Sequence, residues 1–151
     1  MNVLDFFKEY YDVEDELVAS DTEELNEQIV ILNNDLLMPN ESFICYPNLK
    51  VVIGNVYLNN LVSAVGIDKL EFIMGSAFFH RLKSFYGLEN LKLISEDAFF
   101  DSVKNAKPIR HLDSIGGIGY FGNVRKEKYV KNIDIGTPYF PRVRKKQNQD
   151  I

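Results

Sequence analysis

Residues 70–79 read Leu-Glu-Phe-Ile-Met-Gly-Ser-Ala-Phe-Phe, and residues 91–100, twenty-one positions later, read Leu-Lys-Leu-Ile-Ser-Glu-Asp-Ala-Phe-Phe. Leucine, isoleucine, alanine and a pair of phenylalanines recur at the same offsets, which marks an internal repeat. The interval extends in both directions. Leu49, Leu70, Leu91, Leu112 and Ile133 form one column, and Val52, Ile73, Ile94 and Ile115 a second, three residues on. Leu58, Phe79, Phe100 and Phe121 keep the same step, as do Leu61, Leu82, Val103 and Val124, and Tyr46, Ile67, Leu88, Ile109 and Val130. Smaller residues fill Val56, Ala77, Ala98 and Gly119, and Gly54, Gly75 and Gly117 share a position interrupted only by Glu96.

Each unit holds two short apolar segments and a polar connector that often carries Gly or Pro (Gly66, Gly87, Pro108). Segments this short suit strands. One unit cannot bury its inward stripe alone, so successive units must stack and share a core. With parallel strands about 4.8 Å apart, four or five coils make a stack on the order of 20 Å tall. The expected class is mainly β, a short β-solenoid with an N-terminal α-helical cap.

The pattern Leu70-x-x-Ile73-x-Gly75-x-Ala77-x-Phe79, repeated as Leu112-x-x-Ile115-Gly116-Gly117-x-Gly119-x-Phe121, resembles the leucine-rich-repeat-like units of bacterial and bacteriophage proteins. More distantly it is similar to the L domains of growth-factor receptors. The resemblance spans residues 46–140 and implies a surface for binding protein or ligand, with no shared catalytic residues. Two departures stand out. Ser95-Glu96 replaces the glycine pair of the third unit, and Ile133-Asp134-Ile135-Gly136 is one residue short, so a degenerate last coil is expected.

The ends of a solenoid need caps. Val3, Phe6, Phe7, Tyr10, Val13 and Leu17 recur at three- and four-residue spacings with acids between them, which predicts an amphipathic helix over 3–18. Ser20 or Asp21 is placed to cap a second helix over 22–28. Residues 29–37 match the repeat in part, with Ile31 and Leu37 in register, as a degenerate first coil. Pro138 and Pro141 bracket Tyr139-Phe140 and are expected to end the stack, since proline cannot donate to a strand ladder. The chain thus divides into an acidic helical cap (1–28), a repeat solenoid (29–140, clear units about 46–128) and a basic tail (141–151) read as disordered.

Of the 151 residues, 46% are hydrophobic and 26% charged, the balance of one ordinary globular domain rather than a disordered chain. The lone Cys45 cannot form an internal bridge, which favours a reducing compartment. Asp5 and Glu9 interrupt the apolar stretch at the N-terminus, so no signal peptide is read; the longest apolar runs fall far short of the ~18 residues of a membrane span, and the expected location is the cytoplasm of a bacterium or infected host cell. Charge is uneven along the chain. Residues 1–27 hold ten acids against Lys8 alone, whereas Arg142, Arg144, Lys145 and Lys146 crowd the far end.

No catalytic residue, metal ligand or cofactor site is read from these residues. Gly117-x-Gly119-x-x-Gly122 spells a dinucleotide fingerprint, but that motif needs a strand before it and a helix after it, and here its glycines occupy strand positions of the repeat. No repeat column brings Cys45, His80 and His111 together, as nucleophilic catalysis or a zinc centre would require. Glu96, Asp97 and Asp101 lie on one coil without a sign of the cleft that would raise one carboxyl pKa.

The candidate binding feature is Tyr57, Phe78, Phe99 and Tyr120, each directly preceding a residue of the apolar column at Leu58, Phe79, Phe100 and Phe121. Neighbours on a strand point to opposite faces, so these four rings point outward as a ladder. Either the N-terminal helix covers them, or they form a partner or homodimer surface. A candidate anion-binding set comprises Arg81, Lys83, Lys104 and Arg125 with Arg142, Arg144, Lys145 and Lys146, although a pI of 5.1 weighs against nucleic acid. The expected function is a non-catalytic module binding another protein or protein complex. Resemblance and size suggest a bacterial or phage inhibitor of a host defence complex (anti-CRISPR-like) or an immunity protein against a toxin. The alternative is a nucleic-acid-associated protein using the basic column and tail.

Overall fold

A computed structural model of the chain describes residues 1–109 and 111–142. The twenty-one-residue unit forms one coil of a parallel β-solenoid of about five turns, preceded by helix α1 (Val3–Tyr11). One ribbon is built from β1 (Val18–Ala19), β2 (Ile31–Leu32), β4 (Val51–Val52), β6 (Phe72–Ile73), β8 (Leu93–Ile94) and β10 (Ser114–Tyr120). The second runs β3 (Leu36–Leu37), β5 (Val56–Tyr57), β7 (Ala77–Phe78), β9 (Ala98–Phe99) and again β10, which is long enough to join both. β11 (Asp134–Tyr139) lies on β10 as the last coil, and its register shifts between Ile115 and Ile118. The third side of each coil is made of turns and short 3-10 segments such as Val65–Ile67.

All the apolar columns read from the sequence point inward, apart from the half-buried Tyr46. Fully burying one such side chain contributes roughly 1.5–3 kcal/mol, so the stacked columns supply the driving force that two-residue strands alone could not. Phe79 and Phe100 stack at 5.4 Å and Phe100 and Phe121 at 5.5 Å along the interior. Close coil approach explains the small column. A Cβ on Gly75 would lie 2.4 Å from the Gly54 carbonyl oxygen, and at Gly87 the backbone also holds a φ of +98°.

A polar staircase holds the corner between the two ribbons. The Asp35 carboxylate accepts from the Asn55 N–H (2.7 Å), the Asn55 side chain from Ser76 N–H (2.8 Å), Ser76 Oγ from Asp97 N–H (3.2 Å), and the Asp97 carboxylate from Ile118 N–H (2.8 Å). Each side chain satisfies an amide one coil further on, where the chain turns between strands.

The N-terminal region departs from its sequence reading. α1 ends at Tyr11 rather than near residue 18, because Asp12 adopts a left-handed conformation (φ 53°) and the chain then enters β1. The second helix contracts to the single 3-10 turn Thr22–Glu24, where the Asp21 side chain accepts from Glu24 N–H. The first coil is one residue shorter than the repeat. Ile31 pairs with Val51 and Leu37 with Tyr57, so neither sits in the core column that a step of twenty-one assigns; Leu32 and Leu36 take the inward positions, and Ile31 is buried beneath α1 instead. A slip of one residue exchanges the two faces of a strand, which leaves Leu37 59% exposed.

Candidate functional site

The ladder faces outward on the second ribbon, and α1 does not cover it. Phe7 of α1 instead packs 5.1 Å from Phe72, over Ile31 and Val51 of the first ribbon, so the alternative in which the helix hides the ladder is overturned. The reason lies in the column composition. The outward residues of the early first-ribbon coils are Ile31, Val51 and Phe72, an apolar bed against which the short apolar face of α1 packs.

Tyr57 and Phe78 stack at 5.1 Å with planes 4° apart, and Phe78 and Phe99 at 5.2 Å and 10°. Tyr120 stacks at 5.0 Å on Tyr139, a ring outside the predicted four, so the ladder falls into two stacks. Leu37 extends the row below Tyr57, because β3 pairs with β5. The four predicted rings are half-buried, and Leu37 and Tyr139 are exposed. Five coil steps of about 4.8 Å make the row about 24 Å long. Both faces of Phe78 are taken by its neighbours, so it presents an edge to solvent rather than a face. An open ring face, which stacking on a flat ligand requires, is absent there, and a flat apolar contact with another macromolecule is favoured.

His80 borders the ladder, an arrangement the sequence reading did not find. Its ring lies 6.0 Å from Phe78 and 5.7 Å from Phe99, and its Nδ1 is 2.9 Å from Asp101 Oδ1. The shared step of twenty-one between His80 and Asp101 was the available signal. Asp97 lies at the other corner, engaged with the Ile118 amide, so Glu96, Asp97 and Asp101 form no convergent carboxylate group. Among the described residues no group of three His, Cys, Asp or Glu side chains is placed to hold a metal ion. Gly117 and Gly119 lie within β10, followed among the described residues by the single 3-10 turn Glu127–Tyr129 and β11 rather than by a helix placed to receive a pyrophosphate.

Charged residues align on two other sides. Along the edge of the first ribbon Lys50, Glu71, Lys92 and Asp113 occupy successive coils with alternating sign, and Lys92 Nζ is 2.8 Å from Glu71 Oε1. That bond raises the Lys92 pKa. Tyr11 of α1 tucks beside this row under Lys50, 4.9 Å from its ring centre, with its hydroxyl buried and short of hydrogen-bond geometry. Burial first, and the Glu71 charge second, push the Tyr11 phenol well above its ordinary range. The predicted cations Arg81, Lys83, Lys104 and Arg125 are exposed on the third side, where Arg81 donates to Asn60 Oδ1 at 2.7 Å. Arg142 is exposed, and Arg144, Lys145 and Lys146 lie outside the described residues.

No helix among the described residues is long and apolar enough to cross a membrane. No family model, curated protein or solved structure matches this chain. The leucine-rich-repeat-like resemblance therefore rests on the repeat pattern alone.

Proposed function

We propose that the chain is a non-catalytic binding module whose ladder face docks onto another protein. The observation that carries this reading is the row from Leu37 to Tyr139, which the chain's own helix leaves uncovered although a better-fitting bed took that helix elsewhere. Contiguous apolar rows on a rigid scaffold mark contact sites, and aromatic anchors dominate interface energetics. The scaffold also lowers the cost of association, because stacked rings held by ribbon pairing have little freedom left to lose. In this role the protein acts by stoichiometric occupancy. An inhibitor of a defence complex or an immunity protein for a toxin is the setting proposed for it.

The test is affinity capture by the tagged wild-type chain beside the Phe78→Ala/Phe99→Ala double variant, with circular dichroism to confirm that the variant is folded. A defined complex of fixed stoichiometry, lost by the folded variant, is the expected result. Equal capture by both proteins removes the ladder as the docking surface.

A further inference from the structure

We propose that the turn-rich third side of the last three coils binds single-stranded nucleic acid, with phosphates against its cation columns and a base against Tyr86. The Ser84–Asn105 bridge fixes the coil register on this side, so residues one repeat apart lie one coil apart. Lys83, Lys104 and Arg125 then form one exposed column, and Tyr86, Lys107 and Lys128 a second, three residues on. Residues 102–132 carry Lys104, Lys107, Arg110, Arg125, Lys126, Lys128 and Lys131 against only Asp113 and Glu127. The ion pairs among the described residues engage Lys8, His80 and Lys92 rather than Lys83, Lys104, Lys107, Arg125 or Lys128.

The net charge of −5 does not cancel this patch. Ten of the acids belong to residues 1–27: Asp5 and Glu9 lie on α1, which packs on the first ribbon rather than the third side, and the other eight precede the first coil. Three or more coil steps of about 4.8 Å separate β1 from the last three coils, about 14 Å or more, against a screening length of about 8 Å at physiological salt, while α1 sits on a different side of the coil. A strand on the third side therefore experiences the local cations, and the acidic cap is largely screened.

Two features favour a single strand over a duplex or an acidic protein. Tyr86 is 60% exposed and stacks on no other ring among the described residues, unlike the ladder rings, so its face is open to a base. Val65, one coil earlier in the same column and 57% exposed, extends that platform with an apolar surface. Further along, Lys107 and Lys128 line a surface recess of about 350 Å³ with Tyr129 and Asn132, and Lys128 Nζ sits 5.0 Å from the Tyr129 ring centre. Cation columns flanking an open ring and ending in a basic recess combine backbone tracking with base stacking.

The experiment is fluorescence anisotropy of a labelled twelve-nucleotide oligothymidylate with the full chain, from about 20 to 200 mM NaCl. Binding is expected to fall linearly on a log–log plot, with a slope of about −0.7 per phosphate contacted, hence about −2 to −3 for three or four contacts. Lys104→Glu/Lys107→Glu should weaken binding at least about tenfold and flatten that slope. Tyr86→Ala should weaken it about tenfold with the slope unchanged. The Phe78→Ala/Phe99→Ala variant should bind the oligonucleotide like the wild type, which keeps this surface distinct from the protein-docking ladder. Absence of binding at 20 mM salt overturns the proposal, as does equal competition by a duplex or by polyglutamate. So does wild-type affinity in the Lys104/Lys107 and Tyr86 variants.

Discussion

Phe78 and Phe79 are adjacent in the chain, yet Phe79 stacks on Phe100 inside the solenoid at 5.4 Å while Phe78 stacks on Phe99 outside it at 5.2 Å. The same division holds at the end of the stack, where Phe121 meets Phe140 inside and Tyr120 meets Tyr139 outside. Two aromatic ladders thus run side by side, one supplying stability and the other a surface.

Replacing members of the two ladders should therefore have unequal costs. Phe79→Ala empties a fully buried site and should cost about 3–5 kcal/mol. Phe78→Ala removes a half-buried ring and its stacking, and should cost about 1 kcal/mol. Urea midpoints of the two variants measure the difference. Equal losses would show that Phe78 belongs to the core.

Gly87→Ala should be among the most damaging single-methyl additions. The residue sits at a φ of +98° and a Cβ would lie 2.3 Å from the Ala64 backbone, so left-handed strain and a coil-to-coil clash add together. A loss of about 3 kcal/mol is expected from these two penalties. Thermal unfolding of the variant close to wild type would mean that the coils can separate locally at this turn.

At the polar corner, Asn55→Ala leaves the partly buried Ser76 N–H without its acceptor and should cost about 1–3 kcal/mol. Asn55→Asp keeps an acceptor oxygen at the same reach and should lose less. Hydrogen exchange at the Ser76 amide gives the local readout: faster exchange in the alanine variant than in the aspartate variant is expected, and identical rates would count against the staircase.

Stability should fall in alkali. Tyr11 and Lys92 both hold their protons more tightly in the folded chain, Tyr11 through burial and then the Glu71 charge, Lys92 through its hydrogen bond to Glu71. Groups whose pKa is raised on folding contribute fully below their unfolded values, near 10, and that contribution is lost as pH rises past them. Denaturant midpoints should therefore decline from about pH 9.5 upward. Tyr11→Phe deletes a buried hydroxyl that lacks a partner, so it should be neutral or stabilising at pH 7 and should decline less steeply. A decline as steep as the wild type's would assign the alkaline loss to other groups.

The coil architecture was legible in the sequence wherever one repeat lies on another at a constant step. From Val51 to Ser114 the strand registers advance by twenty-one residues, and the columns read over that span point inward, although the buried column Ala64, Phe85 and Ala106 was not read. Legibility failed at the first coil, where the step drops to twenty between Leu37 and Tyr57, whereas the same shortening between Ser114 and Asp134 was read from Ile133-Asp134-Ile135-Gly136. Strand alternation has a period of two, so one missing residue sends Leu37 outward and Leu32 inward, and no local property of those leucines records the change.

The outward direction of Tyr57, Phe78, Phe99 and Tyr120 followed from alternation with the core column, because covalent geometry alone sends neighbouring side chains to opposite faces. Whether anything covered them did not follow. The apolar face of α1 fits any aliphatic surface in its reach, and only the packed chain shows that Phe7 sits against Phe72, Val51 and Ile31 instead. Likewise the sequence showed Lys83, Lys104 and Arg125 as a column, but Tyr86 and the Lys107–Lys128 recess joined them only through the folded third side. Periodicity determines which residues share a column; how the columns meet across coils, and which one the helix covers, is a question of shape complementarity that tertiary packing alone decides.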